Sequence, residues 1–317
     1  MTHDINSVRP TSISHLIGQD HVRQVVTVAL DAAHQDGRRF DHALMVGPPG
    51  MGKTATAQVI AEEMATDFTD ILGQSIRSVA DLNATLLSAT DKSIVFIDEA
   101  HQLDRSLQTT LYLALDQRKI LLPGGQKGSQ PTAIAVDDFT LLMATTDEYQ
   151  LLQPLRDRMK LVLRFDYYEP GDLEQIARHR SRGLGWEIDQ ELFAAIAERS
   201  RGTPRLALRL MEAARRVARS EGGSVVTMRH LDRACDLEQI DLLGLGPTEQ
   251  KYLQIVGDGS TRLNVLASML GLPSRTVAEV AEPYLLRAGL IAKDDQGRRQ
   301  LTALGRQHLA DSSRNNV

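Results

Sequence analysis

The sequence lacks the features that define several protein classes. Its 317 residues include one cysteine, Cys235, which excludes an intramolecular disulfide framework and is expected to be a buried helix residue. No Cys or His residues cluster at the spacing of zinc ligands, so a structural zinc site is also excluded. No run approaches the roughly 20 apolar residues that cross a bilayer, and the first residues do not form a signal peptide. We therefore expect a cytoplasmic protein with no membrane partner.

The composition that remains is that of an ordinary globular protein. Hydrophobic residues make up 42% of the chain and charged residues 24%. At about 150 residues per domain, the length predicts two or three domains. The formal net charge is -5, but residues 1–177 and 220–245 are net acidic, whereas residues 178–219 and 246–317 are net basic. The distribution is compatible with a polyanion that meets the later segments.

Short buried strands alternate with helical segments in the first half of the chain. Four apolar runs are too short for helices: Ala43–Val46, Ser93–Ile97, Phe139–Met143 and Leu161–Phe165. This alternation predicts an α/β domain with a parallel sheet that is covered on both faces. The turn-rich stretch 123–131 separates two further apolar runs and predicts an inserted hairpin at about 119–136.

The second half is predicted to be helical and to end in a winged helix. From about residue 166 to 237 the pattern is helical throughout. Three helices and a two-stranded wing then follow: Pro247–Val256, Leu263–Leu270, Ser274–Arg287, Leu290–Lys293 and Arg299–Thr302. We therefore divide the chain into a large α/β domain (1–165), a helical domain (166–238) and a winged-helix domain (239–317).

The strongest motif is a phosphate-binding loop that follows the first predicted strand. Eight residues fit the G-x-x-x-x-G-K-[ST] pattern: Gly47, Pro48, Pro49, Gly50, Met51, Gly52, Lys53 and Thr54. Backbone N–H groups of such a loop and the following helix N-terminus favour an anion. Lys53 is expected to reach the β- and γ-phosphates of ATP, and Thr54 to place its hydroxyl on Mg²⁺.

Polar side chains end the next two predicted strands. Asp98 and Glu99 close the second strand, at the sheet end where the phosphate loop also lies. Asp98 fits a Mg²⁺ ligand, and Glu99 fits the carboxylate that polarises the attacking water. Thr145 and Thr146 follow the third strand and are expected either to hydrogen-bond the γ-phosphate or the water, or simply to cap the strand.

Two arginines lie in a short loop after these threonines. Arg156 and Arg158 flank Asp157 in the segment Pro154–Arg158. An arginine against the γ-phosphate accelerates phosphoryl transfer by roughly 10³ to 10⁵, and a neighbouring subunit can supply it. The alternative is a pair of surface arginines neutralised by Asp157.

A third arginine lies at the start of a predicted helix. Thr203 is expected to be the N-cap, Pro204 the first helical residue and Arg205 part of the first turn. Because a cation is unfavourable at a helix N-terminus, Arg205 is expected to pair with an anion. Either a nucleotide phosphate or an unrelated carboxylate could be that anion.

Taken together, these motifs resemble the RuvB family, the AAA+ motors of Holliday-junction branch migration. Five segments carry the resemblance in order: GPPGMGKT, FIDEAH, ATT followed by PLRDR, RGTPRLALRL and EPYLLRAGLI. It spans about Arg9 to Leu301. The Walker elements are common to AAA+ proteins, whereas RGTPR joined to a winged helix with EPYL is more specific. The resemblance implies an AAA+ P-loop NTPase domain with a helical lid, followed by a C-terminal winged-helix domain.

The resemblance assigns roles in binding and hydrolysing ATP with Mg²⁺. Asp98 and Glu99 are then the hydrolytic pair, and Thr146 is sensor 1. Arg158 is the arginine finger, and Arg205 is sensor 2. The nucleotide pocket around the phosphate loop is completed by Val8, Arg9, Ala55 and Tyr168. Ala55 departs from the family, which usually has a second threonine there.

The resemblance also implies partners. Lys293 and Arg298 flank the wing where the family places DNA-contacting residues, and an unrelated solvated wing is the alternative. The hairpin with Ile120, Leu121 and Leu122 matches the element by which the family docks onto a RuvA-type junction-binding protein. An exposed apolar patch is commonly an interaction site, which agrees with this role. The alternative is that they fold against their own domain.

The implied function is a ring, expected to be hexameric on DNA, that hydrolyses ATP to pump duplex DNA through a four-way junction in recombination and repair. Binding would be sequence-independent and salt-sensitive. Two alternatives stay open, namely a clamp-loader or initiator-like switch and an ATP-controlled winged-helix regulator. Glu99 disfavours a pure switch. The sequence departs from the family at Met159, which stands where the family has phenylalanine, and in the segment Asp116-Gln117-Arg118 before the hairpin.

Overall fold

The computed structural model describes residue 5 and residues 9–122 and 132–315, without the side chains of Leu121 and of residues 313–315. The chain forms two compact units, residues 1–172 and 173–317. Val8, one of the expected pocket residues, lies outside the described residues. Among the described helices, none is both long enough and apolar enough to span a membrane.

A parallel sheet organises the first unit. Its described strands are β1 (Ala43–Val46), β2 (Phe68–Leu72), β3 (Ile94–Asp98), β4 (Lys119–Leu122), β5 (Thr132–Ala135), β6 (Thr140–Thr145) and β7 (Leu161–Arg164). Five of these pair in parallel in the order β2-β3-β6-β1-β7, and β4 and β5 form a separate antiparallel hairpin. The predicted parallel sheet and hairpin are both confirmed. Strand β2 was missed because it lies at the sheet edge and has no continuous apolar run.

Helices cover both faces of this sheet. They are α1 (Asp20–Gln35), α2 (Lys53–Glu63), α3 (Val79–Ser88), α4 (Arg105–Gln117) and α5 (Gln153–Arg156). Successive strand residues enter two different cores: Leu44 packs with α3 and α4, whereas Met45 packs with α1 and α2. Because β3, β6 and β1 are parallel neighbours, their carboxyl ends meet at one edge, where ligands bind in open α/β sheets.

The hairpin differs from the expectation in one respect. Ile120 is only 2% exposed and belongs to the same core as α4, and Leu122 is half-buried against that core. The expectation that Ile120 forms an exposed docking patch is therefore wrong. The reason is the two-residue period of a strand, which puts Ile120 and Leu122 on one face, and that face covers the domain core. The side chain of Leu121 lies outside the described part.

The rest of the chain is helical and ends in a winged helix. Its elements are α6 (Pro170–Gly183), α7 (Gln190–Arg199), α8 (Pro204–Ser220), α9 (Met228–Glu238), α10 (Pro247–Gly257), α11 (Leu263–Leu270), α12 (Ser274–Thr276), α13 (Glu282–Arg287), β8 (Ile291–Lys293), β9 (Arg299–Leu301) and α14 (Ala303–Asn315). A π-helical turn, Val277–Ala281, joins α12 to α13, so the predicted third helix is continuous. Helix α14 was not predicted. Cys235 is buried in α9, as expected.

Candidate nucleotide site

The phosphate loop connects β1 to α2 as its sequence pattern predicts. Strand β1 ends at Val46 and α2 begins at Lys53. Gly52, the N-cap of α2, has a φ of 90°, a conformation that side chains other than glycine rarely adopt. The loop therefore ends with the backbone N–H groups of a helix N-terminus, which attract an anion.

Lys53 is held inside this loop. Its side chain is buried, and Nζ donates to the carbonyl oxygens of Gly47 at 2.7 Å and of Pro48 at 2.8 Å. A buried ammonium gains more from an anionic partner than an exposed one does, because the charges interact more strongly where the local dielectric constant is low. The geometry thus suits phosphate binding in the loop.

Thr54 and Asp98 bring the phosphate loop and β3 together. The hydroxyl of Thr54 donates to Oδ2 of Asp98 at 3.2 Å. The pKa of Asp70 on the neighbouring strand β2 is raised mainly by burial and to a smaller extent by the nearby Asp98 carboxylate. The hydroxyl and carboxylate oxygens are ligands that Mg²⁺ accepts, and this ion usually takes only one or two protein carboxylates beside water and substrate phosphates. These two side chains therefore fit the metal of a magnesium–nucleotide complex.

Glu99 belongs to a chain of polar contacts that ends on β6. Its backbone has a φ of 51°, and its N–H donates to Oδ1 of Asp98 at 2.9 Å. Oε2 of Glu99 lies 3.5 Å from Nε2 of His101, and Nδ1 of His101 lies 3.1 Å from the hydroxyl of Thr145. His101 thus links the expected hydrolytic carboxylate to the next strand. Sequence analysis missed it, although it stands two positions after Glu99 in the same motif.

The two threonines after β6 have different environments. Thr145 is fully buried, and its hydroxyl accepts from the N–H of Asp147 and donates to the carbonyl of Asp147, both at 3.0 Å. Thr146 is exposed. Strand capping therefore applies to Thr145, whereas Thr146 is left accessible at the sheet edge. Its role as sensor 1 stays a prediction.

Two expected pocket residues contact the loop and its helix. Nη1 of Arg9 donates to Oε1 of Gln58 on α2 at 3.1 Å, and the hydroxyl of Tyr168 donates to the carbonyl of Met51 at 3.2 Å. Burial raises the pKa of Tyr168 to about 12, so the phenol stays neutral at physiological pH. Ala55 is half-buried in the first turn of α2 and offers only a methyl group.

Arg158 is bound by its own subunit. Nε donates to Oδ1 of Asp116 at 2.7 Å, Nη2 pairs with the second oxygen of that carboxylate, and Nη1 donates to the carbonyl of Pro154. The guanidinium also lies 4.8 Å from the ring centre of Tyr112. The hydrogen bond between the two side chains raises the pKa of Arg158 and lowers the pKa of Asp116. The expected alternative partner was wrong, because Asp157 instead accepts from Gln153.

Arg205 is placed as its capping pattern predicts. Thr203 is the N-cap of α8 and accepts from the N–H of Leu206 at 3.4 Å, and Pro204 is the first helical residue. Arg205 is exposed and has neither a hydrogen bond nor an ion pair within the described ranges 9–122 and 132–315. The pairing that its sequence predicts is therefore available to a ligand.

The wing has a buried charge network that sequence analysis missed. Glu282 is 1% exposed and accepts from Arg299, with Nε at 2.6 Å from Oε1. Nζ of Lys293 lies 3.1 Å from Oε2 of the same carboxylate, so Lys293 has a partner within the domain. Arg298 is half-buried, and its Nε has no hydrogen-bond partner in the described part of the chain. Contacts of Lys293 and Arg298 with DNA stay predictions.

Three family models match the chain in succession. A model of the Holliday junction DNA helicase RuvB P-loop domain matches residues 8–165, a model of the RuvB AAA lid domain matches 168–241, and one of the RuvB C-terminal winged helix domain matches 242–310.

Full-length relatives and solved structures match as well. The chain is 35% identical to a Holliday junction branch migration complex subunit RuvB of Kosmotoga olearia, over 98% of this chain and 92% of that protein. It is 38% identical to the Nocardia farcinica protein of the same name, over 96% of this chain and 86% of that protein. The Thermotoga maritima RuvB Holliday junction branch migration motor superposes with a TM-score of 0.82 at 34% identity, over 95% of this chain and 98% of that one.

Proposed function

The chain belongs to the RuvB family, and from that premise we propose that it is a ring-forming ATPase that drives branch migration of four-way DNA junctions. It has the P-loop domain, the AAA lid and the winged helix of the family in a single chain. The observation that carries the proposal is that Lys53, Thr54, Asp98 and Glu99 lie together at one sheet edge, where their side chains would bind phosphate, hold a metal ion and polarise water.

The chain's own groups divide the work of hydrolysis. Lys53 would leave the carbonyls of Gly47 and Pro48 for the β- and γ-phosphates, and Thr54 and Asp98 would hold Mg²⁺. That ion, when bound, neutralises charge on the phosphate oxygens. Glu99 would orient the attacking water and accept its proton. With Nε2 protonated, His101 would direct the Glu99 carboxylate.

Two arginines would complete the site, and they are supplied differently. Arg158 would act as the finger on the nucleotide of the neighbouring subunit, which requires a closed ring with head-to-tail interfaces, proposed to be a hexamer. Arg205 would act as sensor 2 on the nucleotide of its own subunit. Its solvent-exposed guanidinium in the first turn of α8 supports this role.

The proposed substrate is duplex DNA at a four-way junction, bound through phosphates without sequence preference. The relatives are named as subunits of a branch migration complex, so a RuvA-type junction-binding protein is the proposed partner. The burial of Ile120 removes it from the docking surface, so the contact with that partner must use other residues. We place this activity in cytoplasmic recombination and repair.

Strand exchange in a labelled synthetic junction tests the proposal. The native chain should separate the junction arms when ATP and Mg²⁺ are present, with a RuvA-type partner raising the rate, and Glu99→Gln should bind ATP but not move DNA. ATP turnover without arm movement under either condition would refute branch migration and favour a clamp-loader-like switch. Binding to one preferred DNA sequence without turnover would favour a winged-helix regulator.

A further inference from the structure

The turn that carries Arg205 is fastened to the winged helix by a neighbouring arginine, Arg201. Nε of Arg201 donates to the carbonyl of Gly244 at 2.6 Å, and Nη1 donates to Oε1 of Glu249 at 2.7 Å. Both side chains of this ion pair are largely buried, with exposed fractions of 16% and 12%. The guanidinium also lies 5.2 Å from the ring centre of Tyr284. Arg201 therefore joins the lid to α10 and α13 at once.

The winged helix holds the same turn from the other side. Nη2 of Arg287 donates to the backbone carbonyl of Arg201 at 2.5 Å, and its guanidinium lies 5.3 Å from the Tyr284 ring centre. The hydroxyl of Tyr284 donates to the carbonyl of Leu243 at 3.0 Å. The Tyr284 ring thus lies against the guanidinium groups of Arg201 and Arg287, and its hydroxyl binds the connection that leads from the lid to α10.

Backbone packing leaves little freedom at this junction. Gly244 has a φ of 75°, and a Cβ there would lie 2.0 Å from the carbonyl oxygen of Arg199. Arg201 has a φ of 50°, a left-handed conformation that a residue with a side chain keeps only when its surroundings hold it. Here the surroundings are the contacts described above. We call them the lid clamp: Arg201, Leu243, Gly244, Glu249, Tyr284 and Arg287.

The position of the lid clamp relative to Arg205 gives it a function. Arg201 and Arg205 belong to one capped turn, because Thr203 between them is the N-cap of α8. A ligand that moves Arg205 therefore moves Arg201, and Arg201 is bound to α10 and α13 of the winged helix. An interface of this kind passes on a displacement instead of absorbing it, since close-packed contacts deform little.

We propose that the lid clamp is the mechanical coupling between the nucleotide-sensing turn of the lid and the DNA-binding winged helix. Lid and winged helix then move as one body when Arg205 engages or releases a phosphate, and the displacement is delivered to DNA. The proposal rests on the proposed function, in which Arg205 reads the nucleotide. It also explains why the motifs RGTPR and EPYL occur together, because Arg201 of the first contacts Tyr284 of the second.

A matched pair of substitutions tests the coupling. Glu249→Gln weakens the largely buried ion pair that crosses from the lid to α10, whereas Glu238→Gln weakens a more exposed arginine–glutamate pair, with Arg209, inside the lid. Tyr284→Leu removes the ring and its hydroxyl together. Three quantities are measured for each variant in the full chain: ATP turnover without DNA, affinity for duplex DNA, and base pairs moved per ATP hydrolysed on a four-way junction.

The expected result is a loss of coupling without a loss of chemistry. A coupling free energy typically corresponds to about 5- to 150-fold, so Tyr284→Leu should lower the base pairs moved per ATP by about tenfold or more. Glu249→Gln should show a smaller loss in the same direction. ATP turnover and DNA affinity should stay within about twofold of the native chain for both variants, and Glu238→Gln should match the native chain in all three quantities.

Other outcomes would overturn the coupling role. Equal losses of turnover and junction movement would show that the clamp supports catalysis or folding, and thermal unfolding of each variant identifies the second case. Unchanged movement per ATP in both clamp variants would show that the displacement travels elsewhere. If Tyr284→Leu fails to fold, the result for Glu249→Gln alone decides whether the clamp couples lid and winged helix. The native chain is measured first, because its failure to move junctions would refute the proposed function.

Discussion

The finger loop and the lid turn each carry an arginine that is proposed to act on ATP, but they hold it in opposite ways. In the finger loop the functional group itself is bound, since the Arg158 guanidinium pairs with Asp116 and lies against Tyr112. In the lid turn the functional group is left to solvent, and the neighbour Arg201 is bound instead.

The difference follows from what each arginine must reach. A finger that acts across a subunit interface gains from a fixed orientation, because the cost of ordering a long side chain is then met before the neighbour arrives. A sensor within its own subunit can be directed by its backbone, so the anchoring contacts lie on the turn. We therefore expect substitutions in the finger loop to lower the rate of hydrolysis and those in the lid turn to change affinity or coupling.

The largest effect is expected from Arg158→Ala. Loss of the finger should lower ATP turnover by about 10³-fold or more, with ATP binding intact, since this charge is needed only in the transition state. Arg156→Ala, in the same loop, should have a much smaller effect. Steady-state turnover and nucleotide binding are measured in parallel.

Subunit mixing shows whether Arg158 acts across an interface. Arg158→Ala subunits have an intact pocket, and Glu99→Gln subunits have an intact finger, so a mixed ring contains some complete sites. Turnover of the mixture should exceed that of either variant alone. A mixture no more active than its components would show that Arg158 serves its own subunit, and the contrast between the two arginines would then disappear.

A smaller effect is expected from Asp116→Asn, which removes the charge that orients the finger. A displacement of about 1 Å in a group that contacts the transition state costs on the order of 10²-fold, and we expect kcat to fall by at most that factor with KM unchanged. Asp157→Asn is the matched control, because this neighbouring carboxylate accepts only from Gln153 among the described contacts. An increase in kcat for Asp116→Asn would instead mean that Asp116 restrains the finger.

For the lid turn we expect a change in affinity. A hydrogen bond to a charged group contributes roughly 1.5–3 kcal/mol, so Arg205→Ala should weaken ATP binding by about tenfold to a hundredfold. Because Arg205 has no partner within the described chain, its removal should leave the thermal stability of the protein unchanged. Calorimetric titration with a non-hydrolysable ATP analogue measures the first quantity, and a melting curve measures the second. A clear loss of stability would mean that Arg205 is structural.

Local patterns predicted the elements of this molecule better than its ion pairs. The bounds of β1 and α11 agree with the predicted ones, because apolar periodicity and glycine breaks act over a few neighbouring residues. The pairing of Arg158 with Asp116 joins residues 42 positions apart, and no periodicity encodes it. The only pairing that the sequence suggested, as the alternative to the finger role, was therefore with Asp157, the nearest carboxylate.

The same limit explains the wing and the hairpin. Lys293 was assigned to DNA because it flanks the wing where the family places DNA-contacting residues, whereas the burial of its partner Glu282 depends on how α13 packs. Ile120 was expected to be exposed because the resemblance matches its hairpin to the partner-docking element of the family, and the core that covers it comes from α4. Tertiary packing decided the outcome for Ile120, whereas the ion pair of Lys293 leaves its contact with DNA a prediction.

The smallest effect expected is the pH dependence of the Asp116–Arg158 pair, and it shows whether the finger stays anchored under working conditions. The hydrogen bond from Arg158 holds the pKa of Asp116 below its usual value of 3.8. The pair therefore contributes its full stability above about pH 4, and this contribution is lost as the pH falls through the lowered pKa. Both side chains are partly exposed, so the contribution should not exceed about 1 kcal/mol.

Comparing native protein with Asp116→Asn by urea unfolding measures this contribution. The difference in the free energy of unfolding should be constant from pH 5 to 8 and shrink as the pH falls below 3.8 through the lowered pKa of Asp116. Because the pair does not titrate between pH 5 and 8, the effect of Asp116→Asn on ATP turnover should also be constant over that range. A difference that instead changes between pH 6 and 8 would mean that a group other than Asp116 sets the orientation of Arg158, and the finger loop would then lose the fixed geometry that distinguishes it from the lid turn.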